Sequence, residues 1–362
     1  MCLDAPSPPD YGGAIDMHFK IIELAKYRPV ILHYFAYKDG RNASGLEKYC
    51  QAIHVYPRRG ISALASVAPY IVSSRINKDL IERLNADDCP VLLEGIHCAG
   101  VLPHLDRSRR IVIRMHNDEA MYYRRLIGSE HNVAKKLYYL LEARRLTRYQ
   151  HRLEKRIPLA CVSHTDMAVL QEKYGFSNLH FIPSFTSWQR VQGREGCGRY
   201  CLYQGNLNVP ENREAVRWLL TEVFSRIDLP FVVAGKGINA GLRHLATDRA
   251  QVSFVANPSD ATMDELVRDA QVHVLPSLNS TGLKLKMLHA LFLGRHCVTN
   301  EAGVAGTAFR DTVTIAGTAD QYIDAITDLF NKPFTEADRD ARAGIAEVYS
   351  NARNGAALNA LL

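Results

Sequence analysis

An α/β protein made of two doubly wound parallel-sheet domains is predicted from three features of the sequence. The chain has 362 residues, beyond the roughly 250–300 at which a single hydrophobic core stops growing. Short apolar runs of strand length alternate with amphipathic stretches of helix length, the pattern of βαβ units. The alternation is broken once, at TSWQRVQGREGCGR (186–199), a polar, glycine-containing stretch that reads as a linker.

The first series opens on MCLDA, a strand shorter than the others, as if residues upstream were absent. Strands then fall at 30–37 (VILHYFAY), 52–56, 91–94, 111–116 (IVIRMH), 159–163 and 179–183, with helices at 14–26, 77–86, 133–155 and 166–174. In the second series, strands fit 200–204, 230–234, 251–255, 272–275 and 296–299, and helices fit 211–225, 260–269, 283–293 and 319–330. The expected division is 1–184, 185–335 and a helical tail, 336–362, that packs back toward the first domain. Two such domains present the ligand-binding ends of two sheets to a central cleft.

Composition narrows the class. Apolar residues are 47% and charged residues 23%, near the globular average, which excludes a disordered or collagen-like chain. No run approaches the roughly 18 apolar residues of a membrane span, and the first residues lack the basic and apolar regions of a signal peptide. Eight cysteines are scattered, and Cys197 with Cys201 has no second pair at metal-ligand spacing, so reduced thiols and a cytoplasmic address are expected. The inner face of the membrane is the alternative address.

Charge is uneven. Residues 1–184 hold 26 basic and 19 acidic residues, and 110–156 alone hold 12 against 5. Tyr122, Tyr123, Tyr138 and Tyr139 are interleaved with them. Such a surface would rest on anionic lipid, each basic residue contributing about 1 kcal/mol. A bent helix with a solvated basic face accounts for the same charge. No nucleic-acid-binding motif accompanies it.

The segment PSLNSTGLKLKMLHALFLG (276–294) carries most of the chemistry. A strand ends at Pro276 and Ser277, a polar turn follows, and an amphipathic helix begins with Ser280 and Thr281 as cap candidates. The first amides of a helix have no intrahelical partner and carry the positive end of its dipole. Lys284 and Lys286 in that first turn oppose the dipole unless an anion neutralises both, and two solvated surface lysines are the competing reading.

In order, LYQGNLNVPENREAVRWLL, FVVAGKG, VSFVANP, DAQ, VHVLPSLNSTGLKLKMLHALFLGRHCVTN and EAGVAG resemble the donor domain of GT-B fold glycosyltransferases, in particular the retaining group 1 family. In the first half, PSPPDYGGAIDMHFKIIELAK resembles the family's opening glycine loop and helix. RMHNDEAMYY resembles its central histidine loop, and LACVSHTDMAVLQEKYG with FIPSF its last strands before the linker. The resemblance implies two Rossmann-like domains and transfer of a hexose-like sugar from a nucleotide diphosphate to an acceptor hydroxyl. Retention is implied too, with no metal or cofactor. It also implies a bacterial-type surface glycan or glycoconjugate as product.

By the same resemblance the donor is held by Gly12, Gly13, Gly205, Asn206, Gly235, Lys236, Ser277, Thr281, Gly282, Leu283, Lys284, Lys286 and His289. His116, Lys236 and Lys286 take the catalytic roles, the lysines and helix amides stabilising the departing diphosphate. His116 at a strand end is otherwise a structural histidine. Asp118 and Glu119 beside it contact a sugar or simply start the next helix, where acids are favourable. Two departures stand out. The family's two glutamates, eight positions apart, are replaced by Thr281 and His289, and its basic pair after the first donor-domain strand by Asn206 and Asn212. A non-catalytic nucleotide-sugar binding or partner protein, or a sugar-nucleotide epimerase, is therefore the competing class.

Overall fold

The computed structural model describes residues 1–37, 40–130, 132–278 and 284–362. The chain divides into two compact units, 1–187 with 349–362, and 188–348.

In the first unit, β1 (Ile31–Ala36) pairs with β2 (Ala52–Pro57), and β3 (Val91–Glu94), β4 (Ile111–Met115), β5 (Leu159–Cys161) and β6 (Leu179–Phe181) form a second sheet in that order, all parallel. The MCLDA segment joins them. The Cys2 amide donates to the His33 carbonyl of β1 at 2.7 Å, and the Met1 carbonyl accepts from the Glu94 amide of β3 at 3.0 Å. The two-residue period of a strand then divides the core. Ile113 and Met115 face a cluster with Leu93, Leu159, Leu146 and Leu170. Val112 and Ala160 face the other way, against Leu24, Phe185, Leu358 and Leu362. The C-terminal helix Asn351–Leu361 thus covers one face of the first unit's sheet.

The second unit holds six parallel strands: β7 (Cys201–Gln204), β8 (Phe231–Gly235), β9 (Val252–Ala256), β10 (Val272–Val274), β11 (His296–Thr299) and β12 (Thr314–Ile315), in the order β12-β11-β10-β7-β8-β9. The edge strand β12 is absent from the sequence reading because two half-buried residues leave no apolar run. The 186–199 stretch is not a free linker, and from Trp188 it belongs to the second unit. The Gln192 amide donates to the Phe292 carbonyl, and Gly196 pairs with Phe334. Gly198 lies so close to the chain at 269–271 that a β-carbon there would sit 2.5 Å from the Gln271 nitrogen. Gly198 thus permits a close approach of backbones, while Gly196 takes a left-handed φ of +82°.

The predicted 283–293 helix begins at Leu285, with Lys284 at the cap position and no side-chain cap. Lys286 is therefore in the first turn and Lys284 just before it. No helix among the described residues is long and apolar enough to cross a membrane. All eight cysteines are free; Cys197 is exposed and Cys201 is buried on β7.

Candidate active site

In the second unit the strand order reverses between β7 and β10: from β7 the chain moves outward through β8 and β9, and from β10 the opposite way through β11 and β12. In doubly wound sheets, ligands settle at the carboxyl ends of the strands flanking such a reversal. Gly205 and Asn206 follow β7, Lys236 follows β8, and Ser277 lies beyond β10. Sequence-expected donor residues thus meet at one end of one sheet. Thr281, Gly282 and Leu283 lie outside the described residues.

Local chemistry shapes this end. Gly235, at φ +148°, is pressed against the neighbouring turn: a β-carbon would come within 1.8 Å of the Gly205 carbonyl oxygen. At Gly237, with φ +79°, a β-carbon would come within 2.4 Å of Asn208 Oδ1. Between them Lys236 is exposed, and its carbonyl accepts from the Leu207 amide at 2.7 Å. The chain beyond β10 is clamped by Asn300, whose Oδ1 accepts from the Ser277 amide at 3.0 Å and whose Nδ2 donates to the Ser277 carbonyl at 2.8 Å.

Lys286 is the central charge. Its Nζ donates to Tyr203 Oη and to Asn212 Oδ1, both at 3.0 Å, and lies 4.7 Å from the centre of the Tyr203 ring. Asn212 in turn donates to the Asn206 carbonyl at 3.0 Å. Burial, with Lys284 adding repulsion, pushes the ammonium down to about 8. Its hydrogen-bond partners are neutral dipoles, while the Glu211 carboxylate opposes that shift by favouring the charged form. Asn212, read as the residue replacing a family cation, holds this lysine and steadies the turn after β7.

His289 has gained a carboxylate from elsewhere. Its Nε2 is 2.8 Å from Asp264 Oδ1 on the Asp260–Asp269 helix, and its ring stacks on Trp188 at 4.4 Å and 14°. The hydrogen bond from His289 holds the Asp264 carboxyl below its usual range.

In the first unit, Gly12 and Gly13 open the Gly12–Leu24 helix, which has no side-chain cap. A side chain at Gly13 would meet the Tyr11 ring at 3.0 Å. His116 follows β4 at the mouth of a buried network. Its Nε2 is 3.0 Å from Glu94 Oε2, and its Nδ1 is 3.9 Å from Asp16 Oδ2. Lys20 bridges Asp16 and Glu94 at 2.7 Å to each, and Arg114 pairs with Asp16 at 2.9 Å. Burial alone would raise both carboxyls, but Lys20 and the His116 hydrogen bond hold Glu94 down at about 2, and Arg114 with Lys20 holds Asp16 well below the usual range. Asp16, Glu94 and His116 place ligand atoms within 4.8 Å of one another, a spacing that suits a cation. Lys20 already occupies it, and a metal would have to displace that ammonium.

Asp118 caps the helix Glu119–Ser129 and also accepts from Gln150, Tyr174 and Lys173, so of its two readings the structure favours the helix start. Glu119 next to it is pushed up to about 8 by burial and by Asp118. Asp264, Asn300, Trp188, Glu94 and Asp16 were not singled out from the sequence. A signal existed for two of them: Asp16 is spaced i,i+4 from Lys20 within an apolar helix, and Glu94 closes the apolar strand VLLE.

Residues 198–332 match the family described as glycosyl transferases group 1. Over 325 residues, 84% of the chain, the protein is 25% identical to an uncharacterised 44.6 kDa protein in the cps region of Klebsiella pneumoniae, 82% of which is covered. Among solved structures, sucrose-phosphate synthase from Thermosynechococcus elongatus aligns with 100% of the chain and 93% of its own, at a TM-score of 0.65 and 13% identity. Anabaena HepE in complex with UDP aligns with 99% and 97% at a TM-score of 0.63 and 12% identity. The fold is that of the GT-B glycosyltransferases, the second unit carries a group 1 glycosyltransferase domain, and the protein is a glycosyltransferase.

Proposed function

We propose that the protein transfers a hexose-like sugar from a nucleoside diphosphate sugar to an acceptor hydroxyl, with retention at the anomeric carbon and without metal or cofactor, during assembly of a surface polysaccharide. The observation that carries this reading is Lys286: a half-buried ammonium, held by Tyr203 and Asn212 at the sheet reversal and ion-paired with no carboxylate among the described residues. A diphosphate is the ligand whose charge such a group would meet. Support for the donor class comes from HepE, whose structures include complexes with UDP and with UDP-glucose. Support for the product class comes from the Klebsiella relative's place in a cps region.

As the glycosidic bond breaks, negative charge grows on the leaving phosphate. The Lys286 and Lys236 side chains and the amides after Ser277 are the groups that stabilise it. The acceptor hydroxyl approaches on the face the leaving group vacates and gives its proton to a phosphate oxygen, so the protein needs no nucleophile of its own. His116 orients the transferred sugar. The acceptor is a glycan or a lipid-linked sugar, met at an anionic membrane through 110–156.

A panel of nucleotide sugars, screened by thermal shift and followed by mass spectrometry, tests the reading. Binding with transfer and a retained anomeric configuration is the expected result. Binding without transfer would identify a binding module, an isomerised donor would identify an epimerase, and an inverted product or a trapped glycosyl-enzyme would overturn the mechanism.

A further inference from the structure

The first unit carries a second polar depression far from its ligand-binding strand ends. A cleft of about 1350 Å³ is lined by Arg109 and Arg110, just before β4, and by Ile157 and Pro158, just before β5. It therefore opens at the amino ends of strands whose carboxyl ends lead to His116. Its volume exceeds the roughly 300–1,000 Å³ of a preformed small-molecule pocket. Seven arginines line it against two carboxylates, Asp106 and Glu154. Arg109 is used structurally, bound to Asp87 and the Cys89 carbonyl, while Arg145 pairs with Glu142 and Arg156 with Glu154. Arg110, Arg148 and Arg152 are exposed and make no side-chain hydrogen bond or ion pair among the described residues.

The margin of this cleft is apolar and solvent-facing. In the Ile61–Ala65 turn, Ile61 and Leu64 lie on one edge of a three-residue period, and Val67 at the cleft rim follows them; Ile61 is 83% and Val67 86% exposed. The Val133–Arg152 helix lines the same cleft through Arg145, Arg148 and Arg152, and its Glu142 Oε2 accepts from the Tyr70 amide, three residues beyond Val67, at 2.7 Å. At 100° per residue, Leu137, Leu141, Arg145, Arg148 and Arg152 fall on one stripe of that helix, apolar in its first half and basic in its second. Leu137 and Leu141 are exposed.

We propose that the cleft and its apolar margin form a docking surface for an anionic phospholipid bilayer, with headgroup phosphates entering between Arg110, Arg148 and Arg152 and the side chains of Ile61, Val67, Leu137 and Leu141 entering the acyl boundary. Stable attachment to a bilayer takes two signals, apolar insertion and a polybasic patch, and this face combines both. A free polyanion would engage the arginines and leave the apolar margin in water. The inference deepens the lipid-linked acceptor reading, and because docking needs no nucleotide sugar, it fails or holds separately from the transfer reaction.

The test is flotation of the full chain, without donor, on vesicles of phosphatidylcholine alone or mixed with phosphatidylglycerol. Binding only to the mixed vesicles is expected, weakening as salt screens the arginines. The triple variant Arg110→Gln/Arg148→Gln/Arg152→Gln should bind about 100-fold more weakly, about 1 kcal/mol for each arginine. Ile61→Ser/Val67→Ser should also bind more weakly, and its loss should persist at high salt. Equal binding by the triple variant and the unaltered chain would overturn the proposal. So would absence of binding to mixed vesicles, or capture by single-stranded RNA in preference to them. The apolar variant and the salt series keep the test open should the triple variant fold poorly.

Discussion

The polar ends of the two sheets are built on opposite principles. In the first unit, Asp16, Glu94, Lys20 and Arg114 cancel one another within a buried network, and His116 stands at its edge. In the second, Lys286 is held by a phenol and an amide. Buried ion pairs with satisfied partners contribute order and leave little affinity for a ligand, whereas an ammonium hydrogen-bonded to dipoles and not ion-paired keeps its attraction for an anion. The same doubly wound design thus yields a preorganised wall in one unit and an anion-seeking site in the other.

The contrast is broken most severely at Arg114. Arg114→Met strips Asp16 of one of its two cationic partners in the interior and should cost about 3–5 kcal/mol, measured as a fall in the denaturation midpoint. Next comes Lys286→Met, expected to lower kcat/KM by about 2.7–4 kcal/mol in transition-state terms while folding stability holds. A collapse of stability instead would make Lys286 a structural residue. Its pH signature sharpens the point: with the ammonium at about 8, donor affinity should decline as pH rises through that value, and Lys286→Met should show no such decline.

Glu94 provides a smaller effect of opposite sense. Its carboxyl is held at about 2 against an ordinary 4.5, so its stabilisation is complete above pH 4.5 and is lost as pH falls through 2. Denaturant titrations should show a loss of about 3 kcal/mol across that window, flattened in Glu94→Gln. The smallest expected change is at Asp264. Asp264→Asn removes the carboxylate behind His289 and should weaken donor binding by about 1.5 kcal/mol, read by calorimetry. Unchanged affinity would separate the His289 pair from the donor site.

Much of the fold was legible in the sequence because strand burial is a local pattern. VLLE, IVIRM and HCVT announce buried parallel strands, and each forms one. The edge strand at Thr314–Ile315 lacked such a pattern, and the glycines of 186–199 gave the appearance of a linker because glycine marks a flexible turn and a close backbone contact alike. Gly193 shows the second meaning, since a β-carbon there would lie 2.7 Å from the Gly294 carbonyl oxygen.

From the chain's own order of residues came the alternation that makes two wound sheets, the placement of Gly205, Lys236 and Ser277 at strand ends, and the excess of positive charge in 110–156. These depend on period and composition, which neighbouring residues carry among themselves. Tertiary structure alone decided that Asp264 stands behind His289, that Asn212 holds Lys286, and that Lys20 occupies the space between Asp16 and Glu94. Each of these pairs joins residues on different elements, or on different turns of one buried helix face. A charge's partner is set by where the folded backbone delivers it, and no local pattern records that.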